Sequence, residues 1–170
     1  MLISIEKQDF EALDRSRLWK WCMEPTILQV RGKNAAYKAE VYGQLTPSQQ
    51  ALFMFSILHD HADNAADMYW YVSYYMSDLK AWPGIKRAAQ FFENDDLLSI
   101  YKEMEQVVEA KNRQADGTWR AYTISDLDND SELCLAVGHI YKRYTTLTPT
   151  LIEQINRYIE QNPSEFVRFV

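Results

Sequence analysis

The chain has few of the residues that interrupt helices, with only five glycines and five prolines among 170 residues. Such low numbers exclude a collagen-like or loop-dominated architecture and favour long helices joined by short loops. The chain also lacks a run of roughly 20 apolar residues, which is the length that a membrane-spanning helix requires. Its first residues carry no basic segment of the kind that begins a signal peptide. We therefore expect a cytoplasmic protein with no membrane association.

Positive charge is also scarce. The 18 lysines and arginines stand against 24 aspartates and glutamates, which gives a formal net charge of −6. Proteins that bind nucleic acids present a basic patch or stripe, so this balance argues against direct nucleic-acid binding. It is compatible with a basic protein partner.

Only two cysteines are present, Cys22 and Cys134, and they do not form a zinc-binding motif. Each has apolar neighbours, and a free cysteine packs as a small apolar side chain. We therefore predict two reduced thiols in the core. A domain of this length buries roughly 70% of the surface of its unfolded chain, so it needs neither a disulfide nor a metal for stability. We predict one domain over residues 1–170 and no cofactor.

Residues 46–79 are rich in apolar and aromatic side chains and contain two of the three histidines. Thr46 and Pro47 predict a helix start, because threonine caps helix N-termini and proline suits the first turn. Asp63 and Asn64 predict a break and a second start. Apolar residues surround most of the circumference of both predicted helices, which is typical of helices covered on several sides. We predict an all-α, single-domain bundle of about eight helices packed around these two central helices.

The remaining elements follow from helical periodicity and from helix start and stop residues. We predict further helices at about residues 8–22, 35–42, 85–93, 97–111, 131–144 and 149–161, an extended arm at residues 1–5, a connection at residues 26–30 and an irregular stretch at residues 112–129. Pro25 is expected to end the first helix, and Pro149 to separate the last two. The C-terminal tail is expected to dock Phe166 and Phe169 on the core.

A cluster of polar side chains lies at the break between the central helices. His59 and Asp63 are four residues apart, so on a helix they would share a face that could hold a metal ion, with Asp60, His61 and Asp67 beside them. However, two histidines two residues apart point in nearly opposite directions on a helix, and the Glu-x-x-His pairs of di-iron bundles are absent. The alternative is structural: the imidazolium ions suit a helix C-terminus and the aspartates cap helices.

Asp126, Asp128 and Asp130 alternate as they do at the start of a calcium-binding loop. The match fails after that point, because Ser131 replaces the turn glycine and Val137 occupies the position of the final glutamate. Helix capping is the preferred interpretation of these three aspartates.

Many acidic residues lie near predicted helix starts, where capping and solubility explain them. If they gathered on one face, they would instead present spaced negative charge to a basic protein, which would speed association and set partner choice. The candidate acidic interaction face consists of Asp60, Asp63, Asp67, Glu93, Asp95, Asp96, Asp126, Asp128 and Asp130.

Two parts of the chain resemble a known family. The first is Gln-Leu-Thr-Pro-Ser-Gln-Gln-Ala-Leu-Phe at residues 44–53, with an aromatic helix and then Leu-Leu-Ser-Ile-Tyr-Lys-Glu-Met at residues 97–104. The second is residues 151–166, which end in Tyr-Ile-Glu-Gln-Asn-Pro-Ser-Glu-Phe. Both are similar to an all-helical bacterial domain-of-unknown-function family that includes a DNA-mimic protein. The Gly-Gly-Phe motif of that family is missing, and residues 63–71 stand in its place.

The resemblance implies an all-α domain and an acidic surface that occupies the DNA-binding face of a regulator, and it transfers no catalytic residue. We therefore predict a non-catalytic protein-binding domain that engages a basic protein through an acidic face, as a DNA mimic or a toxin-neutralising partner does. The alternative is a metal- or small-ligand-binding enzyme that uses His59, His61 and Asp63. A third hypothesis is a homodimer that buries exposed aromatic side chains.

Overall fold

The computed structural model describes residues 2–170, so Met1, the first residue of the predicted arm, lies outside the described residues. Within residues 2–170 the chain forms nine α-helices, and the prediction of an all-α single-domain bundle is confirmed. The helices are α1 (Lys7–Glu11), α2 (Leu18–Val30), α3 (Ala35–Gly43), α4 (Pro47–His59), α5 (Ala65–Ser77), α6 (Trp82–Phe91), α7 (Asp95–Asn112), α8 (Asp126–Asn129) and α9 (Ser131–Gln161). The strands are β1 (Ile3–Ile5) and β2 (Val167–Phe169), and short 3-10 helices cover Arg15–Arg17 and Pro163–Glu165.

The two central helices begin where the sequence predicts. Thr46 and Gln49 form a capping box at the start of α4, in which each side chain accepts a hydrogen bond from the backbone amide of the other. Asn64 caps α5 by accepting a hydrogen bond from the amide of Asp67. Both caps are local, because each is formed by residues three positions apart in the sequence.

Helix α4 packs against α2, α5 and α6, and α7 packs against α5, α6 and α9. Helix α9 also contacts α2 and α5, which closes the bundle. Leu52 and Leu58 on α4, and Met68 and Val72 on α5, are fully buried. Burial of each such side chain contributes roughly 1.5–3 kcal/mol relative to exposure. The packing of both helices among several neighbours explains why their sequences are apolar around most of the circumference.

The predicted first helix over residues 8–22 is instead two helices, α1 and α2, which the 3-10 helix Arg15–Arg17 separates, and the prediction that Pro25 ends it is also wrong. Helix α2 continues through Pro25 to Val30, and residues 26–30, which were expected to connect two elements, are helical. A proline inside a helix costs about 3 kcal/mol, because it removes a backbone hydrogen bond and crowds the carbonyl four residues earlier. Pro25 is exposed, whereas Thr26 and Val30 are buried, so packing of the second half of α2 offsets that cost.

The predicted boundary at Pro149 is also wrong. Helix α9 is continuous over 31 residues, a length of about 46 Å. Pro149 and Thr145 are both exposed, so water can reach the carbonyl that the proline leaves without an amide partner. Leu151 and Ile155, beyond the proline, are fully buried. Their packing holds the end of α9 in line with its beginning.

The two ends of the chain meet in a short parallel sheet, in which Ile3 of β1 lies opposite Val167 of β2. Residues 3–5 of the predicted arm are therefore paired. Phe166 is fully buried, as predicted, whereas Phe169 is 39% exposed. The Phe169 ring packs edge-on against Phe10, with ring centroids 5.6 Å apart.

Two smaller boundaries also differ from the prediction. Helix α6 begins at Trp82, three residues early, because Pro83 lies in the first turn, where a missing amide costs little. The irregular stretch begins after Asn112 and contains the one-turn helix α8. No helix within residues 2–170 is both long and apolar enough to cross a membrane.

Candidate ligand groove

His59, the last residue of α4, packs into an aromatic cluster. Its ring stacks on Phe55 with centroids 5.2 Å apart, and it meets Trp19 edge-on at 5.3 Å. Its Nδ1 atom lies 3.0 Å from the hydroxyl of Tyr144 on α9. Burial lowers the pKa of His59, and the nearby Lys20 ammonium acts in the same direction. The shift favours the neutral imidazole over the imidazolium that the structural interpretation of the sequence expected here.

His61 contacts a different helix, because its ring meets Tyr71 on α5 edge-on at 4.3 Å. Asp63 is exposed, and its backbone carbonyl accepts a hydrogen bond from the Tyr141 hydroxyl at 2.7 Å. Asp67 lies in the first turn of α5. Among the described residues, no group of three or more His, Cys, Asp or Glu side chains is placed to hold a metal ion. The two histidines of the predicted cluster thus lie in separate aromatic environments.

Two of the three aspartates in the calcium-like sequence are engaged in the fold. Asp126 accepts hydrogen bonds from Arg120 at 2.6 Å and from the Tyr69 hydroxyl at 3.1 Å. Asp130 caps α9, as predicted, and pairs with Lys111 at 2.6 Å. The third aspartate is exposed. The carboxylates of Asp126 and Asp130 therefore organise the chain around α8 and the start of α9.

The nine acidic residues of the candidate interaction face lie in three groups. Asp60, Asp63 and Asp67 surround the turn between α4 and α5, whereas Glu93, Asp95 and Asp96 lie at the start of α7. Asp126, Asp128 and Asp130 lie beyond the end of α7, because Asp130 pairs with Lys111 in its last turn. Helix α7 has 18 residues, so the second and third groups are separated by about 25 Å along its axis.

The cysteines also differ from each other. Cys22 is buried, as predicted, and burial raises the pKa of its thiol to about 12. Cys134 is exposed, so the prediction of a core thiol is wrong there. On α9 the buried stripe contains Leu133 and Val137, and a residue one position after Leu133 is rotated away from it by about 100°.

A groove of about 670 Å³ lies between α2 and α3 on one side and α5 and α6 on the other, with α4 as its floor. Ligand sites for small molecules commonly have volumes of about 300–1,000 Å³. His61 and Asp60 lie at one end of this groove, whereas His59 does not line it. The groove is the candidate functional site, and it includes part of the polar cluster that the sequence indicated.

The floor and walls of the groove are largely apolar. Met23 and Met54 are at most 9% exposed, and Ile27 is half-buried beside them. Leu28, on the same wall, is 55% exposed. Methionine side chains are flexible and polarisable, so they adapt to ligands of different shape. The groove therefore suits a ligand with an apolar surface.

The rim of the groove is positively charged although the protein is acidic. Five lysines and arginines line it with only two acidic residues, Glu24 and Asp60, whereas acidic residues outnumber basic ones by 24 to 18 in the whole chain. None of the six ion pairs within residues 2–170 involves these five cations. The groove cations are Lys20, Arg31, Lys38, Lys80 and Arg87. They are available to a negatively charged ligand.

Several polar atoms in the groove also lack a hydrogen-bond partner among residues 2–170. The hydroxyls of Tyr42, Tyr71 and Tyr74 make no hydrogen bond within the part of the chain that the structure describes. The Nδ1 atom of His61 is buried and likewise has no hydrogen-bond partner among residues 2–170. A buried polar atom without a partner costs about 1–3 kcal/mol, so a hydrogen bond from a ligand or from water would be favourable there.

A second polar region, which we call the loop network, lies on another face of α5 and consists of Tyr69, Ser73, Asn112, Arg120 and Asp126. Asn112 is fully buried, accepts a hydrogen bond from Tyr69 at 2.8 Å and donates one to Ser73 at 3.0 Å. Arg120 donates to Tyr69 at 3.1 Å and to Asp126 at 2.6 Å. The network ties the irregular stretch after α7 to α5.

The sequence contains one signal of the groove. Lys20, Ile27 and Arg31 recur at helical spacing and share one face of α2. The expectation that Pro25 ends the helix hid this face. The other three groove cations lie on different elements, and only the tertiary packing brings those elements together.

Comparisons of the chain with protein-family models, with curated proteins and with solved structures found no match.

Proposed function

We propose that the protein is a non-catalytic binding protein whose groove holds an amphipathic, negatively charged ligand. One observation carries this proposal: an apolar groove with a rim of cations that no carboxylate of residues 2–170 pairs, in a chain with net charge −6. Apolar surface supplies most of the affinity of such a site, and a small number of polar groups fix the orientation of the ligand.

Hydroxyl groups in the groove support binding better than catalysis. Ser56 donates a hydrogen bond to the carbonyl of Leu52 at 2.8 Å, and Tyr75 donates one to the carbonyl of Ile57 at 2.7 Å. Burial raises the pKa of Tyr75 far above that of a free tyrosine, so its hydroxyl remains protonated. Both groups therefore act within the fold, whereas a catalytic nucleophile needs an adjacent base to remove its proton.

A matched pair of fluorescent probes tests the proposal. The probe 8-anilinonaphthalene-1-sulfonate carries an aromatic body and one negative charge, and N-phenyl-1-naphthylamine has the same ring system without the charge. We expect saturable binding of the anionic probe to the native protein and weaker binding of the neutral one. Fluorescence titration measures both.

Variants of the groove locate the bound probe. The double variant Arg31→Gln with Lys38→Gln should weaken binding of the anionic probe by about five- to tenfold, which corresponds to about 1 kcal/mol. Ala39→Trp places a large ring on an exposed position of the groove wall. This variant should weaken binding of both probes. Lys142→Gln, on exposed α9 surface outside the groove, is the control. Equal binding of both probes, or no effect of these groove variants, would contradict the proposal.

A second proposal is that an acidic surface engages a basic protein, as the family resemblance implies. Its support is the group at the turn between α4 and α5, where Asp60 and Asp63 are exposed and enter none of the ion pairs of residues 2–170. A partner recovered from a cell lysate at low salt should be lost at raised salt. The double variant Asp60→Asn with Asp63→Asn should lose it at both salt concentrations. A salt-insensitive partner would count against this proposal.

A further inference from the structure

We infer that the occupant of the groove is an acidic, amphipathic α-helix of a partner protein. The inference rests on the proposed function and names the chemistry of its ligand. Three features carry it: the length of the groove, the spacing of its cations and the form of its apolar floor.

The α2 wall of the groove matches about three turns of helix in length. Lys20 lies in the first turn of α2, and Arg31 follows its last residue, eleven positions later. At 1.5 Å per residue, these two positions lie about 16 Å apart along the α2 wall. Three turns of a bound helix have the same length, since each turn rises about 5.4 Å.

The cations are spaced along and across the groove, which favours a ligand with several charges over a single head group. A carboxylate pairs with a cation within about 4 Å, and Lys20 and Arg31 start from positions about 16 Å apart along α2. The remaining groove cations lie on other elements, with Lys38 on α3 and Arg87 on α6, across the groove from each other. A helix that carries carboxylates on successive turns can meet cations at both ends and on both walls.

The floor between these cations fits the apolar face of a helix. Helices that dock in grooves present apolar residues at positions i, i+3, i+4 and i+7. Met23, Ile27 and Met54 offer a deformable apolar surface to such a stripe. Leu28, which is 55% exposed, would be covered by the bound helix.

A peptide library displayed on phage tests this inference on the full chain. Each peptide has 14 residues, with leucine at positions 2, 5, 6, 9 and 13 and an equal mixture of glutamate, glutamine and lysine at the other positions. We expect selection for glutamate. Replacing the selected glutamates by glutamine should weaken binding at least about tenfold in fluorescence anisotropy, and a central proline should abolish binding because it breaks the helix.

Charge reversal in the protein provides the matched control. Arg31→Glu should weaken binding of a selected peptide by about tenfold. The same variant should bind more tightly a peptide in which lysines replace the glutamates. Lys142→Glu, on exposed α9 surface outside the groove, makes the same change in net charge and should have little effect. Recovery of binding by the reversed peptide would assign the effect to a contact in the groove and not to net charge.

The outcomes separate the inference from the proposed function. Three results would overturn the inference of an acidic helix. They are selection for lysine or glutamine, the absence of any selected peptide, and binding of the selected peptide that is insensitive to Arg31→Glu. If the anionic probe still depends on the groove cations, the ligand is then a small amphipathic anion and the proposed function stands. If the probe does not depend on them, both proposals fail.

Discussion

The loop network and the groove differ in what their charged groups contact. Arg120 in the loop network contacts Asp126, the Tyr69 hydroxyl and the carbonyl of Lys111. The five groove cations enter none of the ion pairs of residues 2–170. Charged groups that are paired and partly buried stabilise a fold through hydrogen bonds, whereas exposed cations contribute little to stability. The first region therefore holds the chain together, and the second is available to a ligand.

Helix α5 contributes to both regions with residues of the same kind. Tyr69 faces the loop network and donates its hydrogen to Asn112, whereas Tyr71 and Tyr74 line the groove. On a helix, positions 69 and 71 point about 200° apart. Tyrosine composition alone therefore does not distinguish a structural residue from a binding residue. The hydrogen-bond partner of the hydroxyl separates Tyr69 from Tyr71 and Tyr74, whose hydroxyls have none among residues 2–170.

The largest expected effect is in the loop network. Asn112→Leu removes one hydrogen-bond partner of Tyr69 and one of Ser73 in a fully buried site, so we expect the free energy of unfolding to fall by about 3 kcal/mol. Urea denaturation measures this loss. Asn129→Ala, at an exposed position of α8, should change stability by less than about 0.5 kcal/mol. A similar small change for Asn112→Leu would remove the distinction between the two regions.

A smaller and pH-dependent effect is expected at Asp126. Burial alone would raise the pKa of this carboxyl, but hydrogen bonds from Arg120, Thr123 and Tyr69 outweigh it and lower the pKa. The stabilisation is therefore complete above the unfolded pKa of about 3.9 and disappears as the pH falls through the lowered folded value. Asp126→Asn should cost about 1–2 kcal/mol at pH 7.

Urea denaturation of both proteins from pH 7 to pH 2 isolates this contribution, because other carboxylates act equally in each. The stability difference between wild type and Asp126→Asn should persist at pH 6 and disappear at the acid end. Asp128→Asn, an exposed neighbour on α8, should show no such difference. A constant difference at every pH would mean that shape, and not charge, accounts for the effect.

His59, which belongs to neither region, gives a third prediction. Burial lowers its pKa, so the unfolded chain binds a proton more readily than the folded protein. Stability should therefore be complete above the unfolded pKa of about 6.5 and should fall as the pH drops towards the lowered folded value. Denaturation between pH 7.5 and pH 5 measures the slope, which should be smaller in His59→Gln. An unchanged slope would assign the pH dependence to other groups.

The sequence predicted the helical class, the central helices and most helix starts, because these depend on local signals. Thr46 with Gln49 and Asn64 with Asp67 each form a cap within four residues of chain. The errors at the two internal prolines arise from tertiary packing, which local sequence signals do not show. At Pro149, the buried residues beyond the proline keep the helix continuous, and that packing involves residues far away in sequence.

The candidate site was less predictable. The sequence indicated His61 and Asp60 as part of a candidate polar site, because histidine and aspartate are common metal ligands. Both residues line the groove. Lys80 and Arg87 lie on the wall opposite α2 and look like ordinary surface residues in the sequence. Their functional interpretation depends on the absence of a carboxylate partner among residues 2–170. Ion pairs between separate elements depend on the tertiary structure, so the sequence does not show this absence.

The smallest effect on stability should come from the groove itself. Lys38→Gln and Arg87→Gln remove cations that enter none of the ion pairs of residues 2–170, so each should change the free energy of unfolding by less than about 0.5 kcal/mol in either direction. The same variants should weaken binding of the anionic probe. Urea denaturation and probe titration on one set of samples measure both quantities. A variant that lost stability together with binding would place these cations among the groups that hold the fold, and the groove would then lose its main distinction from the loop network.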